Sequence, residues 1–219
     1  MDKTLVVKFR ITGNLRFLSH LETVAMFQRA LVRAAIVLYY SEGFNPRPRL
    51  SLPLPRSVGV QSDDELLYAS MVGDEASLDP EQLKKQISRQ LPRGCEIISI
   101  ALVEWKTSFQ PVSVVYVFPL TDLAGDEKIK ASLDSLRRAL VTGSRLVVER
   151  RADKNKPFRK IDVSGYIDSV ECEEDALVVK CNITPAGSVR IDEILQLLQI
   201  DSSRLSGPVK RKAVQWRQN

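Results

Sequence analysis

Cysteine and histidine are scarce in this chain, which holds three of the first and one of the second. Cys95, Cys172 and Cys181 stand far apart and form no Cys-x-x-Cys pair. That spacing gives no footing to a zinc site or a redox dithiol. An iron–sulfur cluster needs several closely placed thiolates, which are missing too. The three cysteines are expected as reduced, partly buried thiols. Glycine is sparse and scattered, with neither a dinucleotide fingerprint nor a P-loop. Carboxylates such as Asp162, Asp168, Asp192 and Glu193 show no metal-ligand pattern. The expectation is a chain without metal or cofactor. No apolar run reaches the length needed to span a bilayer, and the first residues lack a signal-peptide core. No membrane association and a cytoplasmic location are therefore expected.

What is abundant is basic charge, and it comes in blocks. Residues 1–60 carry nine Lys/Arg against three Asp/Glu, whereas residues 61–110 carry five against nine. Residues 145–160 are basic again, with seven against two, and the tail 204–219 has five basic residues and no acid. Such segregation points to a polyanionic partner, of which RNA or DNA is the commonest.

The length of 219 residues fits one large or two small domains. A β-branched run over 3–11 reads as a strand. Ser19-His20-Leu21-Glu22 is a capping box that opens a helix over 19–35. Leu21, Val24, Ala25, Leu31, Val32 and Ala35 are assigned to its buried face; Glu22, Met26, Arg29 and Arg33 are assigned to another. Strands follow at 36–40 and 65–72, then a helix at 80–90 capped by Asp79 with Pro80 in its first turn, then a strand at 95–103. This β-α-β-β-α-β order is the ferredoxin-like pattern. The second half repeats the theme, with strands at 112–120, 145–150, 161–170 and 176–183. Helices lie at 126–140 and 189–198, the latter with Ser188 as cap, and the residues around 209–216 suit either an edge strand or a partly disordered tail. The expected fold class is α+β with two ferredoxin-like units of antiparallel sheet in tandem. The first spans 1–105 with a proline-rich insertion; the second spans 110–219 with a basic hairpin and tail.

The insertion is the most informative segment. Tyr39-Tyr40-Ser41-Glu42-Gly43-Phe44-Asn45-Pro46-Arg47-Pro48-Arg49 has a constrained course, because each proline fixes φ and extends the residue before it. Gly43 permits a tight turn. A stiff loop bearing aromatics, an amide, a carboxylate and guanidinium groups suits recognition.

Three blocks, Lys8-Phe9-Arg10-Ile11-Thr12-Gly13, Leu15-Arg16-Phe17-Leu18-Ser19-His20-Leu21-Glu22 and Tyr40-Ser41-Glu42-Gly43-Phe44-Asn45-Pro46, resemble the radical-SAM-linked domain family. Gly187-Ser188-Val189-Arg190-Ile191-Asp192-Glu193-Ile194 resembles its C-terminal motif, so the likeness covers most of the chain. Arg47 stands between the two prolines where that family often has His. The resemblance implies a radical SAM protein, of the B12-binding type, as partner, and it implies no reaction. This chain lacks the cysteine triplet of a radical SAM enzyme and is not that enzyme.

The candidate binding residues form two groups. Arg16, His20, Arg29, Arg33, Tyr40, Glu42, Phe44, Asn45, Arg47 and Arg49 surround the first helix and the loop. Arg150, Lys154, Lys156 and Arg159 occupy the basic hairpin. Arginine forks match phosphate bidentately, and aromatic rings stack on unpaired bases. His20, at a helix N-terminus that disfavours its protonated form, is a weak catalytic candidate. The end of the strand at 36–40 is expected to bring Tyr40, Glu42, Phe44 and Asn45 beside Arg16 and His20. The reading is an accessory RNA-binding module that presents RNA to the radical SAM partner, rather than an enzyme. The alternatives are a metal-independent ribonuclease-like enzyme using His20, and a structural protein-binding subunit. In outline, tandem units with basic loops also resemble the CRISPR RNA-processing endonucleases, without their glycine-rich loop.

Overall fold

The structure, a computed structural model, describes residues 2–72, 79–121, 125–151 and 157–219. It is a mixed α+β fold with four α-helices and mostly antiparallel strands among the described residues. The chain divides into two compact units, Met1–Pro111 with Trp216–Asn219, and Val112–Gln215. No helix among the described residues is long and apolar enough to cross a membrane.

The first unit contains β1 (Lys3–Ile11), α1 (His20–Arg33), β2 (Leu50–Ser51), β3 (Gln61–Met71), α2 (Pro80–Ser88) and β4 (Cys95–Glu104). Its strands lie in the order β4-β1-β3-β2, every neighbouring pair antiparallel. Leu5, Val7, Phe9 and Ile11 alternate along β1 and are fully buried in a core that includes Phe27 and Leu31 of α1 and Leu83 and Ile87 of α2.

The helix starts agree with the sequence reading. Glu22 N–H donates to Ser19 Oγ at 3.3 Å, and Ser19 N–H donates to Glu22 Oε2 at 2.8 Å, which completes the capping box. Those bonds from Ser19 hold the Glu22 carboxyl below its ordinary pKa. Asp79 accepts from Glu81 N–H and caps α2, with Pro80 as its first residue. Gly94 is required where the chain enters β4. Thr12 N–H donates to Gly94 O at 2.8 Å, and a Cβ at Gly94 would stand 2.7 Å from Thr12 O.

Two expectations for this unit are corrected. The buried face of α1 is Thr23, Met26, Phe27, Ala30 and Leu31, while Leu21 and Val32 are exposed. Phe27 sets the rotation. Its ring sits 4.5 Å from that of Phe9, and a helix turned to bury the largest side chain leaves Val32 on the far side. The strand at 36–40 is also absent as a continuous element. Leu38 bridges Met71, the chain then leaves the sheet, and pairing with β3 resumes only at Leu50 opposite Ala69.

The second unit contains β5 (Phe109–Pro119, which begins in the first unit), α3 (Glu127–Thr142), β6 (Val147–Arg151), β7 (Phe158–Asp162), β8 (Ile167–Glu173), β9 (Ala176–Asn182), α4 (Ile191–Leu197) and β10 (Lys210–Gln218, which ends in the first unit). Its sheet runs β10-β5-β9-β8, and β6 pairs β7 as a separate hairpin. The single strand expected at 161–170 is two, parted by a 3-10 turn at Ser164–Tyr166. Asp162 accepts from Ser164 N–H and stops β7 there. Ser188 does not cap α4. The Glu193 carboxylate reaches back to Arg190 N–H at 2.8 Å, and the helix begins at Ile191.

Candidate functional site

The loop of the first unit is an excursion from an interrupted strand, closed at its base. Ser41 N–H donates to Arg47 O at 2.8 Å, Arg49 N–H to Tyr39 O at 2.6 Å, and Arg47 N–H to Ser41 Oγ at 3.0 Å. Tyr40 bridges Pro48 across this stem. Tyr39 anchors the stem from behind, with its ring 4.5 Å from that of Trp105 and its hydroxyl donating to Asp2 Oδ2 at 2.5 Å. That bond to Asp2, with burial second, pushes the Tyr39 phenol above its ordinary pKa. Gly43 has φ +121°, in a region closed to most side chains. Glu42, Phe44, Asn45, Arg47 and Arg49 are all exposed.

The base of this loop and the outward face of α1 enclose an open groove of about 330 Å³ lined by Gln28, Arg29, Val32, Arg33, Tyr40 and Pro48. Its floor is apolar. Val32 is 55% exposed and Tyr40 46%. Leaving a valine half in water forgoes roughly 1 kcal/mol of burial, and exposed apolar surface of this kind, rimmed by polar groups, marks interaction sites. The rim is cationic. Arg29 and Arg33 line it, while Arg47 and Arg49 are exposed in the loop and do not line the groove. None of the four has an ion-pair partner among the described residues; Arg33 Nη2 donates to Gln90 O at 2.7 Å, which fixes its head beside the C-terminus of α2. A smaller cleft next to it, lined by Arg33, Ala34, Ala35, Gln86, Arg89 and Gln90, extends the basic rim.

The structure does not bring Tyr40 to His20. Tyr40 lies by Arg29 and Arg33, nine to thirteen residues along α1 from His20, or roughly 14–20 Å at 1.5 Å per residue. The expected juxtaposition assumed a strand ending at Tyr40. The strand is instead interrupted there, and the residue that reaches the level of the helix start is Arg56. Arg56 is buried and donates to Arg16 O (2.8 Å), Val60 O (2.5 Å), Leu15 O (3.2 Å) and Leu18 O (3.3 Å), and so ties down the segment that leads into α1. Nothing in the residues around Arg56 signals this. Three of its four partners are carbonyls some forty positions away. Arg16 donates to Gly13 O at 2.9 Å and lies 4.2 Å above the ring of Phe17. His20 is half-buried, and its Nδ1 is shielded with no hydrogen-bond partner among the described residues.

The basic hairpin of the second unit behaves differently. Arg150 makes a forked pair of hydrogen bonds to Glu193, at 2.5 and 2.8 Å, and donates to Ser188 O at 3.0 Å. The carboxylate is 1% exposed. Burial pushes the Glu193 carboxyl up, but the bonds from Arg150 and from Arg190 N–H outweigh it and hold its pKa below the ordinary value. Arg150 is thus a structural residue and does not join a phosphate-gripping surface. Arg151 lies 5.4 Å over the Phe158 ring. Arg159 is exposed, and Lys154 and Lys156 lie outside the described residues. Signal for the pair existed in sequence only as two adjacent acids, Asp192 and Glu193, in the first turn of a helix, with nothing to say which of them meets an arginine.

Cys95 and Cys181 fit an inert role, whereas Cys172 lacks the expected burial. Burial pushes Cys95 and Cys181 up to about 12. Cys172 is exposed and accepts from Arg137 Nη2 at 3.8 Å. No cluster of three or more His, Cys, Asp or Glu suited to a metal ion occurs among the described residues.

A family model matches residues 4–199, nearly the whole chain, with α1, the loop and the Arg150–Glu193 pair inside the match. The chain belongs to DUF2344. That family is described as an uncharacterised protein conserved in bacteria. No curated protein matches the chain. DUF2344 membership therefore brings no reaction or ligand with it, and the chemistry has to be read from the groove and the loop.

Proposed function

We propose that this DUF2344 chain is an RNA-binding module, that its first unit's groove and loop take the RNA, and that it presents that RNA to a radical SAM partner. The observation that carries the RNA reading is the pairing, in one groove, of an apolar floor, Val32, Tyr40 and Pro48, with the arginine heads of Arg29 and Arg33, which meet no carboxylate among the described residues; Arg47 and Arg49 add exposed cations in the adjoining loop. A polyanion with planar bases satisfies both. Phosphates take the guanidinium forks and bases take the apolar surface. The partner and the accessory role rest on the sequence resemblance alone.

In the same reading, each unit is a ferredoxin-like variant. Counting the four sheet strands of each unit in chain order, both rows run fourth, first, third, second. A helix follows the first and the third strand in each. The proline-rich loop interrupts the second strand of one unit, and the β6–β7 hairpin precedes the second strand of the other.

Ultraviolet crosslinking in living cells, followed by mapping of the modified peptides, tests the proposal. Nucleotide adducts on the peptides that hold Tyr40 and Phe44, and loss of the adducts in an Arg29→Ala/Arg33→Ala variant, are the expected result. Adducts confined to the second unit, or none above background, would overturn it. Co-purification of a radical SAM protein with the tagged chain tests the partner separately.

A further inference from the structure

Phe44 is the most exposed large apolar side chain of the described residues, at 106% of its extended-chain surface. It is not there because the loop is loose. The stem below it is closed by three hydrogen bonds, two of which make the Tyr40–Pro48 bridge, Pro46 and Pro48 stiffen the returning limb, and Gly43 sits at a φ that turns the chain sharply just before it. A stiff support that holds a phenyl ring in water, four residues from the groove floor at Tyr40, is a built feature. At the maximal reach of an extended chain, the Phe44 backbone lies at most about 14 Å from that of Tyr40.

Resting on the RNA reading above, we propose that Phe44 is a stacking finger for an unpaired base, so that the substrate class is single-stranded or looped RNA and not continuous duplex. The charges around it select this occupant over an apolar protein segment. Arg47 and Arg49 follow the ring in sequence, and only Glu42 carries the opposite sign in the loop. A ring that projects from a loop tip meets a base face only where that base is unstacked. In an A-form duplex the base faces are covered by their neighbours, and the deep major groove is closed to side chains. Asn45, next to the ring and also exposed, has an amide donor and a carbonyl acceptor suited to the edge of the stacked base.

The test uses the full chain and fluorescently labelled RNA of one length in two forms, a pyrimidine-rich single strand and a blunt duplex, with affinity read by anisotropy. Phe44→Ala should weaken single-strand binding by roughly tenfold, within the range for loss of one aromatic–base stack, and leave duplex binding unchanged. Phe44→Trp should restore it, with indole fluorescence quenched on RNA addition relative to the same titration of the unaltered chain. Because the side chain touches solvent alone, both variants should melt with the parent. If Arg29→Ala weakens RNA binding while Phe44→Ala does not, the stacking finger is wrong and the RNA reading survives. If neither form of RNA binds, both fall. If Phe44→Ala instead abolishes co-purification of a protein partner with RNA affinity intact, the loop is a protein contact and the inference is overturned.

Discussion

The two basic segments look alike as sequence and are used in opposite ways. Residues 47–49 and 150–160 both set arginines near proline. In the first unit Lys8 pairs with Asp64 at 4.0 Å and Arg10 with Glu96 at 3.4 Å, but the guanidinium groups of Arg29, Arg47 and Arg49 meet no carboxylate among the described residues. In the second, Arg150 is locked to Glu193, Arg145 pairs with Asp162 at 3.6 Å, Lys180 with Asp168 at 2.8 Å, Arg204 with Asp126 at 2.9 Å and Lys212 with Glu173 at 3.7 Å. The comparison teaches that block charge is a poor guide to available charge. What a polyanion can use is the cation left over after the fold has paired its own, and folding brings acids from twelve to seventy-eight residues away to do the pairing.

The strongest way to break that contrast is to remove Glu193. Glu193→Ala leaves a half-buried guanidinium without its forked carboxylate partner, and a loss of about 2–3 kcal/mol is expected in urea denaturation. Replacing both partners, as in Arg150→Met/Glu193→Leu, should recover most of it. The pair also predicts a pH dependence. The folded pKa of Glu193 lies below its unfolded value, so its contribution is complete above the unfolded pKa, near about 4.3, and is lost as pH falls through the lower folded pKa. Stability of the parent should therefore fall on acidification in that window, and Glu193→Gln should flatten the fall. A parent and variant with the same acid limb would contradict this.

Arg56 gives an effect of similar size and shows that the first unit also has a structural arginine. Arg56→Ala strips the donors from four backbone carbonyls, and a loss of about 3 kcal/mol follows if some regain water. Arg29→Ala sits at the other extreme. It should leave the melting temperature essentially unchanged, as surface changes usually do, while it weakens RNA binding severalfold. A thermal shift comparable to that of Arg56→Ala would show that Arg29 is structural after all.

Much of the fold was legible because it depends on short-range signals. The Ser19–Glu22 box, the Asp79 cap with Pro80 and the β-branched run of β1 each need only a few residues, and the structure has all three. The loop's stiffness was legible from its prolines and glycine for the same reason. The rest depends on tertiary partners. The rotation of α1 is decided by Phe27 packing on Phe9, whereas periodicity alone turns the helix toward the apolar but exposed Leu21 and Val32. The break in the strand at Tyr40 is decided by the stem bonds of the loop, and that break places Tyr40 by Arg29 rather than His20. The neutralisation of Arg150 depends on an acid forty-three positions on.

The salt dependence of RNA binding measures free cation directly, because each phosphate that is bound releases counterions and steepens the fall of affinity with salt. The measurement is the slope of log affinity against log salt concentration for a single-stranded RNA, taken for the parent, for Arg29→Ala/Arg47→Ala/Arg49→Ala, and for Arg145→Ala. The account predicts a slope shallower by about 2 in the triple variant, at roughly 0.7 for each phosphate no longer held, and no change in Arg145→Ala. An unchanged slope in the triple variant, or a flattening confined to Arg145→Ala, would contradict the claim that the first unit carries the available charge.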